Sequence, residues 1–109
     1  MRTINNTRIS RDRKYVIVCN KHSGMWTGCI LFWGQLTADG EKRSFGGYTT
    51  GIDRCERYTM DDIIAFSTKF AVYRPGMTYE EFRQRRDIII EPENLEKLGL
   101  STMQVWYRP

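Results

Sequence analysis

Residues 15–20 read YVIVCN, an unbroken apolar run whose centre, Val16-Ile17-Val18, is β-branched throughout. A strand that faces water on one side alternates polar and apolar residues. This one has two apolar faces, so its place is the middle of a sheet. Everything else in the chain has to supply neighbours for it.

Those neighbours are short. MWTGCILFWGQL (25–36) reads as a long strand, TADGEK (37–42) as a turn, and RSFGGYTT (43–50) as the returning strand. Asp39-Gly40 is the strongest short-range hairpin signal. As a two-residue loop it sets a register in which Ala38 faces Glu41, Gln35 faces Ser44, Gly34 faces Phe45 and Trp33 faces Gly46. Gly46 would then leave room for the Trp33 indole, as aromatics over glycine do in hairpins. Thr59 with Asp62, and Thr78 with Glu81, have capping-box spacing. They predict one helix running to about Thr68 and a second that points Tyr79 and Phe82 inwards. KFAVYRPGM (69–77) is a short strand stopped by Pro75-Gly76, DIIIE (87–91) a short apolar strand, and PENLEKLGL (92–100) one or two helical turns closed by Gly99. TMQVWYRP (102–109) is a terminal strand. The pattern is that of a single small α+β domain, an antiparallel sheet with a leading β-hairpin and two or three short helices.

The 109 residues carry a formal net charge of +4. All of the excess lies in residues 1–14, where Arg2, Arg8, Arg11, Arg13 and Lys14 face Asp12 alone. This segment is poor in apolar residues and reads as a flexible basic arm with a short strand around Ile9, separable from a domain at 15–109, through which any nucleic acid would be held. The body has balanced charge and no global positive field. No apolar run reaches the length of a membrane span and the N-terminus lacks the apolar region of a signal peptide, so a cytoplasmic protein with no membrane partner is expected.

Three cysteines, an odd number, argue against a closed disulfide framework. Cys19 and His22, with Cys29 and Cys55, offer a Cys3His zinc set on paper. But His22 falls in a turn and the second pair is 26 residues apart, so reduced thiols without metal are expected. There is no nucleophile elbow and no phosphate loop. Asp61-Asp62 and Glu80-Glu81 fall in the first turns of helices, where acidic side chains serve the helix dipole. Neither a catalytic residue nor a cofactor is expected.

Two features point to binding. Arg83, Arg85 and Arg86 are the densest cations of the body, suited to a phosphate or carboxylate group, or to a solvated helix face paired with Glu80, Glu81, Asp87 and Glu91. Trp26, Phe32, Trp33, Phe45 and Tyr48 crowd one hairpin. Phe32 and Trp33 point to opposite faces, so one of them faces outwards, meets a second layer or lines a cleft. With Arg43, Thr49 and Thr50 nearby, such a cleft suits a stacked base and a phosphate.

LFWG (31–34) followed by GGYTTGIDRCERYTMDDI (46–63) resembles a pattern in small phage and prophage accessory proteins. In that pattern an aliphatic-aromatic-Trp strand precedes G-Y-T, an aliphatic-acidic pair and Y-T before an acidic helix start. Trp33, Gly47, Tyr48, Thr49, Ile52, Asp53, Tyr58 and Thr59 match, and Cys55 stands near the usual alanine. The resemblance implies a non-catalytic protein, working in the cytoplasm of a bacterial host, that binds and inhibits an antiviral-defence component such as a CRISPR effector by protein–protein contact. Sequestration of a nucleotide signal of the defence system is the alternative, and a small DNA- or RNA-binding regulator the third reading. A homodimer is compatible with each. The residues expected to touch the partner or ligand are Trp33, Arg43, Tyr48, Thr49, Thr50, Arg83, Arg85 and Arg86.

Overall fold

The computed structural model describes residues 1–21, 29–102 and 106–107, the last strands by their backbone alone. Trp26 and His22, and with His22 the zinc set, lie outside the described residues. In chain order the elements are β1 (Arg2–Ile4), β2 (Thr7–Ile9), β3 (Val16–Cys19), β4 (Phe32–Trp33), β5 (Tyr48–Thr49), α1 (Met60–Phe66), β6 (Ala71–Val72), α2 (Tyr79–Arg83), β7 (Asp87–Ile90), β8 (Ser101–Thr102) and β9 (Trp106–Tyr107). Two 3₁₀ turns, Pro92–Asn94 and Glu96–Leu98, precede β8. The fold is α+β. The main sheet has the order β5-β4-β3-β7-β6, antiparallel except for the parallel pair β6–β7, while β1–β2 and β8–β9 are separate hairpins.

β3 is the middle strand, as its two apolar faces require, and all four of its residues are buried. It pairs with β7 as Val16↔Ile90, Ile17↔Ile89 and Val18↔Ile88. Alternation sends Val16, Val18, Ile88 and Ile90 to one core with Phe32, Phe82, Leu95 and Leu98. Ile17 and Ile89 go to the other, with Tyr58 and Ile63, and Trp33, Phe45 and Phe70 pack around it. Phe32 and Trp33 thus serve opposite faces.

Both helices start where the capping boxes put them. The Thr59 hydroxyl accepts the Asp62 N–H at 3.0 Å and the Asp62 carboxylate accepts the Thr59 N–H at 2.9 Å. Thr78 and Glu81 repeat the exchange. α2 ends at Arg83, so Glu81 serves its cap and Arg85 leaves the helix. Gly99, at φ +79°, closes the last turn.

The hairpin register differs from the sequence expectation. Trp33 pairs with Tyr48 and Phe32 with Thr49, a shift of two residues. The Asp39-Gly40 turn does form, with the Glu41 N–H donating to the Ala38 carbonyl at 3.0 Å. Its two arms then part, because residues 54–56 come between them. Leu36 N–H donates to the Arg54 carbonyl, Glu56 N–H to the Trp33 carbonyl and Ser44 N–H to the Glu56 carboxylate. Gly46 faces open space, and the aromatic-over-glycine account fails. The crowded glycine is Gly34, at φ +72°, where a Cβ would stand 2.3 Å from the Ser44 carbonyl oxygen and 2.9 Å from the Tyr58 hydroxyl.

The first fourteen residues are not a flexible arm. β1 and β2 form a hairpin around Asn5 and Asn6, both in the left-handed region (φ 48° and 66°), as a type I′ turn needs. Ile9 is fully buried. The Arg13 side chain is 3 % exposed and Glu56 fully buried, and they meet at 2.7 Å. Arg13 also holds Asp39 at 2.9 Å and the Arg57 carbonyl at 3.0 Å. The segment is part of the fold, and removing it would take out Ile9 and Arg13.

Two substitutions check this arrangement. Gly34→Ala should lower stability by about 2–4 kcal/mol through backbone strain and collision, while Gly46→Ala should stay within about 0.5 kcal/mol of the parent, as surface changes do. Thermal melts of the pair decide it, and equal melting temperatures would contradict the register. Arg13→Ala should cost about 3–5 kcal/mol, because it leaves the Glu56 carboxylate buried without its cation. Urea unfolding measures that loss.

Candidate functional site

A cleft of about 600 Å³ opens on the second-core side of the sheet, where α1 ends. Four segments meet there. β3 ends and delivers Cys19 and Lys21; β4 and β5 present Trp33 and Tyr48 as a cross-strand pair. The chain leaving α1 brings Phe66, Lys69 and Phe70, and the turn from α2 into β7 brings Arg85, Arg86 and Asp87.

The walls are aromatic. Trp33 lies nearly perpendicular to its three neighbours, Tyr48 (centroids 6.1 Å, 85°), Phe66 (6.2 Å, 78°) and Phe70 (5.2 Å, 90°). Its indole N–H donates to the Asp87 carboxylate at 3.0 Å, which fixes the ring. Phe66 stacks on Phe45 at 4.0 Å, and Phe45 on Tyr58 at 4.8 Å. Tyr48 and Phe66 nonetheless remain 47 % and 52 % exposed. Burial, and then the neighbouring Cys19, pushes the Tyr48 phenol up, so it is a hydroxyl donor at neutral pH.

The rim is cationic. Lys21, Lys69, Arg85 and Arg86 are all exposed. Among the described residues only Arg86 has a carboxylate within reach, Asp87 at 3.9 Å, and with Arg86 70 % exposed that contact is weak. The arrangement offers flat apolar surface beside exposed cations. It suits a ligand with a planar ring and a negative charge.

No protein-family model, curated protein or solved structure matches this chain.

Of the residues singled out in the sequence, Trp33, Tyr48, Arg85 and Arg86 line this one cleft. The others do not. Arg43 is largely buried within residues 34–47, donating to the Thr37 hydroxyl and to the Ala38, Asp39 and Glu41 carbonyls, with Asp62 at 4.0 Å. It closes the loop from inside, so its removal would disturb the fold. Thr49 pairs with Phe32 and its hydroxyl accepts the Gly51 N–H. Thr50 is half-buried at the following bend, and Arg83 is exposed outside the cleft at the end of α2. Sequence reasoning missed Lys21, Phe66, Lys69 and Phe70. The signal was present in FSTKF (66–70), two aromatics at i and i+4 around a lysine, spanning the end of a helix.

The cysteines are buried and in no disulfide. Among the described residues no group of three His, Cys, Asp or Glu is placed to hold a metal. Burial pushes the Cys55 thiol from an ordinary 9.0 up to about 12, so it is neutral at physiological pH. The unfolded chain loses this proton above pH 9.0 and the folded one only near 12. The stability this provides is complete below the first value and drains away as pH rises towards the second. Urea midpoints should therefore fall as pH rises above 9.0, with a slope from this group of at most about 1.4 kcal/mol per pH unit. Burial raises the Tyr58 phenol in the same direction. Cys55→Ala should flatten the part of the slope that begins at the thiol, and an unchanged slope would show that the thiol does not carry it.

Proposed function

We propose that this is a non-catalytic, phage-type accessory protein that acts on a bacterial antiviral-defence system by binding, and that it does so by sequestering a nucleotide signal in the cleft. One observation carries the reading: Trp33, Tyr48 and Phe66 share a cleft of about 600 Å³ with Lys21, Lys69, Arg85 and Arg86. Clefts of this size suit ligands of nucleotide dimensions. Aromatic faces hold bases without regard to sequence, and guanidinium groups hold phosphates.

The exposure of Tyr48 and Phe66 also favours a second reading, in which the same surface docks on a defence protein such as a CRISPR effector. Nucleic-acid binding through the first fourteen residues has less support, since Arg13 is consumed inside the fold. The deciding experiment passes host lysate over the immobilised protein and identifies what is released, by mass spectrometry of both small molecules and peptides. A nucleotide is expected, and it should be missing from the Arg85→Ala, Arg86→Ala double variant. Recovery of a host protein with no nucleotide would reverse the order of the two readings.

A further inference from the structure

The rings of the second core form a column that reaches the wall of the cleft. Tyr58 is fully buried and its hydroxyl is tied to the Ser44 carbonyl at 2.5 Å. Phe45 stacks on it at 4.8 Å and 25°, and Phe66 stacks on Phe45 at 4.0 Å and 3°. Phe66 is half-exposed in the lining of the cleft, and Phe70, also in the lining, lies nearly parallel to it at 6.3 Å and 15°. A column anchored in the core that brings two near-parallel rings to the cleft wall is a preorganised stacking platform. The exposed part of Phe66 offers a purine or pyrimidine an aromatic surface. Trp33, 78° from Phe66 and held by Asp87, makes a side wall to the same platform.

Charge sets the other half of the ligand. Lys69 lies three residues beyond Phe66, and Arg85 and Arg86 enter from the α2–β7 turn. With Lys21, four cations of the lining face one carboxylate, Asp87, which Trp33 already engages. Four cations against one carboxylate leave about three positive charges, more than the roughly −1.5 to −2 of one phosphate; a ligand with two phosphates matches them. Resting on the reading of the cleft as a nucleotide site, we infer that its ligand is a free nucleotide bearing at least two phosphate groups, with one base stacked on Phe66 and the phosphates on Lys69, Arg85 and Arg86. A free nucleotide is favoured over a strand because a cleft of about 600 Å³ has the dimensions of one such ligand.

The test is calorimetric titration at low salt with adenosine, AMP, ADP, cyclic di-AMP, pyrophosphate and hexadeoxyadenylate. ADP or cyclic di-AMP should bind at least about tenfold tighter than AMP, with no measurable binding of adenosine. Phe66→Leu should weaken the better of these two by about tenfold, the size of one lost base–aromatic stack, and leave pyrophosphate within about twofold. Phe66→Trp, which keeps a ring in place, should bind at least as well as the parent. The Arg85→Ala, Arg86→Ala variant should weaken every phosphate-bearing probe. Nucleotide binding indifferent to Phe66 overturns the inference and leaves the cleft reading standing. Binding of hexadeoxyadenylate well above ADP and cyclic di-AMP overturns the free nucleotide in favour of a strand, and no binding by any probe overturns both.

Discussion

The pairing of β3 with β7 is the constraint on which the rest depends. Val16, Ile17 and Val18 lie opposite Ile90, Ile89 and Ile88, and all six are buried. At about 1.5–3 kcal/mol per fully buried aliphatic side chain, these strands are stable only if both faces of the sheet are covered. One face receives Phe82 of α2 and the leucines of the 3₁₀ turns. The other receives α1, which has seven residues. Seven residues of helix reach about 10 Å, while five strands span roughly 19 Å. The cover is too short for the sheet, and Trp33, Phe45 and Phe70 fill part of what remains. The cleft is the part they leave open.

Glu56 decides how the fill is arranged. Its buried carboxylate accepts from Arg13, from the backbone and hydroxyl of Thr37, and from the N–H groups of Ser44 and Arg57. A charge so deep persists only when its oxygens are saturated and a cation stands beside it. Saturating them pulls Thr37 and Ser44 apart around residue 56, which opens the Asp39-Gly40 hairpin. It brings the Ser44 carbonyl onto the Tyr58 hydroxyl and Phe45 onto the Tyr58 ring. The ring column behind Phe66 is therefore a consequence of an ion pair on the other side of the loop.

This division explains what was legible in the sequence. β3 and β7 were legible because two-sided burial writes itself as an uninterrupted apolar run. The helix starts were legible because a capping box is complete within four residues. The hairpin register was not, since the group that sets it, Glu56, comes after both arms of the hairpin. Of the β1–β2 hairpin only the strand around Ile9 was legible, because its strands are otherwise polar and its turn is Asn5-Asn6, where asparagine's tolerance of the left-handed region does the work of glycine. At the site, Trp33 and Tyr48 stood out as aromatic excess and Arg85 and Arg86 as charge density. Phe66 reads as the inner face of a helix, and only the folded chain shows it half-exposed, stacked between the core and the cleft.

A cleft becomes positive when the carboxylates near it are committed elsewhere. Asp62 and Glu81 cap the two helices. Glu56 is inside, and the Arg13 guanidinium beside Asp39 holds its carboxyl below the ordinary range. Glu91 takes Lys14 at 3.9 Å. What these acids neutralise lies at helix N-termini and in the Arg13 cluster, away from the α2–β7 turn. Lys21, Lys69, Arg85 and Arg86 are left facing Asp87. Net charge summed along residues 15–109 hides this, because the sum treats a carboxylate in a capping box and one beside Arg86 as equal. Their effect on a ligand is not equal, since interactions fade within about 10 Å at moderate salt. The distribution of committed acids, more than the total, makes this one cleft electropositive.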